Sequence, residues 1–169
     1  MAEAYARLRL SRPDAIFALA GDGPVRQELQ ALMPDAVFLG QLDGESLASA
    51  YASADLFVFP STTETFGNVI LEAMASGTVP VCAREGGAAG VVQHGVTGIL
   101  TTPRDPADLA TAITQLLDAP ARQEAMSMQA LEFARRQSWQ SIFQRMIESY
   151  VDVRADYAGQ KNQRPRKAA

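Results

Sequence analysis

The 169-residue sequence is poor in the residues that build covalent or metal-held frameworks. A single cysteine, Cys82, excludes any disulfide within the chain. It lies in an apolar run, where a buried, inert thiol is expected. A single histidine, His94, has no second histidine or cysteine at ligand spacing, so no metal site is expected. It stands before Gly95 in a turn, where an exposed polar residue is the simpler reading. No apolar run approaches the ~18 residues of a membrane span. The first residues lack the charged-then-apolar pattern of a secretory signal. Together these absences set the expectation of a chain that works in a reducing cytoplasm. The formal net charge of −4 argues against general nucleic-acid binding.

What is present is ordinary for a soluble domain: 47% apolar and 20% charged residues, enough chain for one real core. The basic residues are unevenly spread. Arg154, Lys161, Arg164, Arg166 and Lys167 crowd the end of the chain, and no lysine precedes Lys161. The closing segment 154–169 is polar and carries proline and glycine, so it is expected to be a disordered tail behind a domain of residues 1–153. A basic tail can touch anionic lipid, which adds an expectation of contact with the inner face of the membrane; a solvated end is the simpler alternative.

Along the chain, short apolar runs alternate with helical patterns. The strand candidates are 15–21, 36–40, 55–60, 79–83 and 97–100. The helical ones include 43–54, with Asp43 as N-cap, and 66–76, closed by Gly77. Another starts at Asp105-Pro106. Strands apolar on both faces belong between layers of helices. Their alternation with helices predicts an α/β fold with a doubly wound parallel sheet. In such sheets ligands bind beyond the carboxyl ends of the strands.

Two segments at those ends are chemically unusual. "GDGP" (21–24) brings Gly21 and Gly23, which permit a tight turn and close approach to a ligand. A nicotinamide fingerprint would need glycine at 26, where Arg26 stands, so an oxidoreductase is not supported. "STTETFGN" (61–68) places hydroxyls, Glu64 and Gly67 at a helix N-terminus, whose unpaired amides suit a phosphate; the plainer alternative is that Glu64 is a capping charge there. Glu72 follows inside a helix that is apolar nearly all round, so it is expected to be buried and to need a partner or a ligand. A third segment, 84–98, carries five glycines. It would let backbone amides surround an anion, against a strong alternative, a flexible loop with turns. Trp139, Phe143, Met146 and Tyr150 step at helical spacing, which core packing explains.

These motifs converge. "FVFPSTTETFGNVILEAMASGTVPV" (57–81) resembles the signature of the retaining, nucleotide-sugar-dependent glycosyltransferases of group 1, which have the GT-B fold. "GDGP", "FLG", "YASADLFVFPS", "ASGTVPV", "GVTGIL" and "SWQ" follow in that family's order, over roughly residues 1–150. The resemblance implies the C-terminal, donor-binding Rossmann-like domain, lacking its first strand. It implies Glu72 on the ribose hydroxyls and Glu64 as the catalytic-site group on the donor sugar. It further implies the main chain of Phe66, Gly67 and Asn68 on sugar and diphosphate, with Gly21 and Gly23 lining the nucleotide pocket. The donor would be a UDP- or GDP-sugar, with no cofactor and no metal. A hexose would pass to a lipid or glycan acceptor with retention of configuration. "ETFGNVILEAMASG" is most similar to mannosyl- and sulfoquinovosyl-type lipid transferases.

The sequence departs from the family at three points. The opening strand with its Arg/Lys pair would lie upstream of Met1. Gly90 stands where a glutamate is usual. The acceptor domain is missing. The expectation is a fragment, a split-gene product or one subunit of a pair, inactive alone. A non-catalytic binding or interaction subunit with a degenerate fold is the second reading.

Overall fold

The computed structural model describes residues 1–137 and 139–162. Residues 1–134 form one compact unit, and a second begins at Arg135. In chain order the elements are α1 (Ala2–Ser11), β1 (Ala18–Ala20), α2 (Arg26–Leu32), β2 (Val37–Gly40), α3 (Gly44–Ser53), β3 (Leu56–Phe59) and α4 (Asn68–Ala75). They continue with β4 (Val79–Ala83), α5 (Gly87–Val91), β5 (Ile99–Thr101), α6 (Pro106–Leu117), α7 (Pro120–Arg136) and α8 (Trp139–Asn162).

Every strand pairs in parallel, as the sequence predicts. The order β3-β4-β5 is a three-stranded ladder with Leu56 opposite Val79 and Val81 opposite Ile99. Alternation along each strand sorts the side chains to two faces. Leu56, Val58, Val79, Val81 and Ile99 meet α1, α6 and Met126 of α7. Phe57, Phe59, Cys82 and Leu100 meet α4, α5 and the Ala130–Ala134 end of α7. This is the doubly wound arrangement. The local signals behave accordingly. Asp105 accepts from Ala107 N at 2.9 Å and Asp108 N at 3.0 Å, starting α6. Gly77, at φ 78°, ends α4 in the left-handed conformation.

The expected single sheet is divided. β1 and β2 form a separate parallel pair, Ala18 opposite Val37, and no ladder joins them to β3. α1 spans the two. Its Tyr5 ring meets Phe17 edge-on at 5.2 Å and Arg9 pairs with Asp35 at 3.3 Å, beside β1 and β2. Its Ala4 and Leu8 enter the core over β3–β5. In the doubly wound order 3-2-1-4-5-6 the first strand lies between the second and the fourth. The ladders β2-β1 and β3-β4-β5 match, in order, the strands on either side of the first one in that arrangement. β3, apolar on both faces, is accordingly only half-buried along its length, whereas β4 is buried throughout.

The second unit corrects two expectations. α8 continues to Asn162, so residues 154–162 are helical and not a tail. Residues 163–169, the rest of that tail, lie outside the described residues. Phe143, Met146 and Tyr150, expected in a core, are 51%, 44% and 68% exposed; the side chain of Trp139 lies outside the described residues. Helical spacing marks an apolar stripe without saying what covers it. Among the described residues no helix is long and apolar enough to cross a membrane.

Candidate functional site

Beyond the carboxyl end of β3 the chain runs through Pro60–Gly67 into α4. Gly67 is buried at φ 88° and forms the N-cap of α4. A side chain there would be strained by that backbone and would crowd Ile70 Cδ1 at 3.1 Å. Glu64 folds back over the helix entrance. Its Oε1 accepts from Gly67 N at 3.1 Å and Phe66 N at 3.3 Å. It thereby satisfies the N–H of the N-cap and the N–H of the residue just ahead of it. Asn68 opens α4 and is exposed; the Phe66 side chain is 57% exposed, so its main chain is what the turn fixes.

The glycine segment after β4 is not a loose loop. Gly87 N donates to Glu64 O at 2.7 Å. A Cβ on Gly86 would meet Glu64 O at 2.5 Å, and one on Gly87 would meet Phe66 C at 2.6 Å. The start of α5 therefore lies main chain against main chain on the Glu64–Phe66 turn. The glycines thus serve a close approach of two main chains, which neither an anion cradle nor a flexible loop describes.

Glu72 requires a correction. It is exposed, not buried. The inward face of α4 is Ile70, Ala73 and Met74, and Asn68, Glu72 and Ala75 share the outer one. Small alanines made the helix look apolar all round. Nor is Glu72 without a protein partner: Tyr51 OH donates to its Oε2 at 3.4 Å. Burial, with the neighbouring Glu72 charge, pushes the Tyr51 hydroxyl up to about 12, so it stays a proton donor. Nothing in sequence spacing links residue 51 to residue 72.

Gly21 and Gly23 sit exposed beyond β1. Gly21, at φ 123°, donates its N–H to Gly40 O at 2.6 Å; Gly23 N donates to Asp22 Oδ1 at 2.9 Å. Arg26, in place of the third glycine, lies 3.7 Å from Asp22 and 5.9 Å from the Phe38 ring centre. The structure thus brings Glu64, Phe66, Gly67, Asn68 and Glu72 together on one turn and helix. Gly21 and Gly23 belong to the other strand pair, and among the described residues no hydrogen bond joins them to that group. His94 is exposed as expected, and it carries a structural contact: its Nδ1 accepts from Leu100 N at 3.0 Å.

A parallel α/β unit with two carboxylates and glycine-held amides at its carboxyl edge matches a known family model, glycosyl transferases group 1, over residues 1–119. This chain belongs to the group 1 glycosyltransferases. Over 142 residues it is 38% identical to a GDP-mannose-dependent alpha-mannosyltransferase of Corynebacterium glutamicum, covering 84% of this chain and 34% of that protein. It is 42% identical over 135 residues to the sulfoquinovosyl transferase of Arabidopsis thaliana, covering 76% of this chain and 26% of that one. Among solved structures, Anabaena HepE in complex with UDP-glucose superimposes with a TM-score of 0.76 at 28% identity, over 89% of this chain and 44% of HepE. The C-terminal domain of a group 1 glycosyltransferase from Francisella tularensis shares the fold, with a TM-score of 0.72 over 80% of this chain and 76% of that domain. This group 1 chain thus spans about a quarter to under a half of the length of its full-length relatives and has the Rossmann-like fold of GT-B enzymes.

Proposed function

We propose that this chain is the nucleotide-sugar-binding domain of a retaining glycosyltransferase that moves a hexose from a UDP- or GDP-sugar to a lipid or glycan acceptor. The observation that carries the reading is the Glu64–Gly67 turn, fixed at the N-terminus of α4 by Gly67 and by Gly86–Gly87, with Glu72 exposed on the same helix. Backbone N–H groups at a helix start stabilise phosphate charge without reorganising. The amides of Phe66 and Gly67 now serve Glu64. A diphosphate that takes them displaces a carboxylate, which is then free to accept hydroxyls of the donor sugar. Glu72 takes the ribose hydroxyls; Gly21 and Gly23 border the base side. HepE holds UDP-glucose and the C. glutamicum relative uses GDP-mannose, and both support a nucleotide sugar as donor.

In this reading the acceptor is bound by a further domain or partner chain, and the chain alone binds donor without transferring sugar. Calorimetry with UDP- and GDP-sugars on the chain and on Glu72→Ala tests the site: equal heats for the two proteins would remove Glu72 from it. A second reading, a non-catalytic binding subunit, is favoured by the absence of any lysine before Lys161 to neutralise a diphosphate. Transfer activity with no partner added would refute that second reading.

A further inference from the structure

Glu72 is an exposed carboxylate at the candidate site, and among the described residues it forms no ion pair. Among the described residues its side-chain partner is the Tyr51 hydroxyl, on Oε2 at 3.4 Å. Tyr51 is itself held at its carbonyl and at its ring. Its carbonyl accepts from Thr78 Oγ1 at 2.5 Å. Thr78 is buried and its N–H is bound to Ala73 O at 3.0 Å, so the end of α3 is tied to the end of α4. The Tyr51 ring stands edge-on to Phe57 at 5.4 Å, and Phe57 stacks on Phe59 at 5.6 Å. The Tyr51 phenol thus reaches from the β3 face of the core to one oxygen of Glu72.

A free glutamate has several rotamers, and fixing one on binding costs side-chain entropy. A carboxylate offers about four lone-pair sites on two oxygens. With Oε2 engaged by Tyr51, Oε1 is left to meet a pair of adjacent hydroxyls. We propose that Tyr51 is a positioning residue for Glu72, orienting its free carboxylate oxygen toward the ribose diol of a nucleoside diphosphate. This rests on the reading of Glu72 given above. Tyr51 itself touches no substrate in this arrangement. Its hydroxyl remains protonated well above neutral pH, as the donor role requires.

The test is calorimetry on the full chain with UDP and GDP and with their 2′,3′-dideoxy counterparts, for wild type, Tyr51→Phe and Glu72→Gln. Tyr51→Phe is expected to weaken the ribonucleotides about 2–10-fold, the worth of one ordinary hydrogen bond, since at 3.4 Å the contact is longer than a strong charge-assisted one. It leaves the dideoxy forms unchanged, because the diol being held is gone. Equal weakening of both forms would make Tyr51 merely structural and overturn the inference; so would no change in either. Should Tyr51→Phe not fold, 3-fluorotyrosine at 51, close in shape and a stronger donor, must tighten ribonucleotides alone. If wild type binds no nucleotide, or binds both forms equally, the reading of Glu72 fails and the inference with it. If Glu72→Gln removes discrimination for the diol while Tyr51→Phe keeps it, the reading of Glu72 stands and only the inference falls.

Discussion

Gly87→Ala isolates the close approach between α5 and the Glu64–Phe66 turn. The added Cβ would lie 2.6 Å from Phe66 C, 2.8 Å from its N and 2.9 Å from its Cα. Ordinary contact begins near 3.4 Å, so the two segments must part by roughly 0.8 Å. All three obstructing atoms are main chain, and no rotamer change relieves them. Overpacking of this kind costs about 1–3 kcal/mol. Loosening the bond from Gly87 N to Glu64 O adds about 1 kcal/mol. Gly87 is not in the left-handed region, so alanine brings no conformational strain and the effect is steric. The control is Gly90→Ala in the same helix. It has nothing within 4 Å of an added Cβ and an ordinary φ. There alanine is expected to stabilise by about 0.4–1 kcal/mol. Urea melts should therefore move in opposite directions for the two variants, at unchanged m-value. Donor affinity should fall for Gly87→Ala, because the amides of Phe66 and Gly67 move with the turn. A Gly87→Ala protein with wild-type midpoint and wild-type affinity would refute the contact.

Asp105→Ala removes the acceptor for Ala107 N and Asp108 N and should cost about 1 kcal/mol, read from the denaturation midpoint. Cys82 is fully buried and burial pushes its thiol up to about 12, so Ellman's reagent at pH 8 should label it only after unfolding. Asp14 is held down at about 2 by Arg12, so its contribution is present above its ordinary 3.8 and fades as pH falls toward 2. The raised values of Cys82 and Tyr51 act oppositely: their contribution is whole below about pH 9 and is lost as pH rises toward 12. Urea titrations across pH should show both flanks, and Arg12→Ala should flatten the acidic one.

Parts of this were legible from residues alone. β4 begins and ends as its apolar run predicts, and Asp105-Pro106 starts α6 because a cap and a pre-set φ leave little choice. Strand ends elsewhere were overrun: β1 keeps only Ala18–Ala20 of the apolar run 15–21. The Glu64–Gly67 turn was legible because it is local, a helix entrance encoded in eight consecutive residues. The partner of Glu72 was not, since it lies on a different helix and depends on how α3 packs on α4. The exposure of Glu72 was missed because alanine reads as apolar on either face of a helix. The division of the sheet is likewise a property of pairing between strands, and no single strand carries it.

That division bears on cooperativity. Without a ladder between β1–β2 and β3–β5, side chains such as Tyr5, Phe17 and Leu8 carry the mechanical coupling. Side-chain contacts yield at lower free energy than a continuous hydrogen-bonded sheet, so β1–β2 is expected to open before β3–β5, as native-state hydrogen exchange would read. Gly21 and Gly23 ride on that part, and Glu64 and Glu72 on the other. A ligand that grips both halves would act as a clasp, raising the protection of β1–β2 amides far from its own contacts. Some of its intrinsic affinity would be spent on that ordering. Whatever bridges the two pieces thus sets both the melting behaviour of the domain and the apparent strength of its own binding.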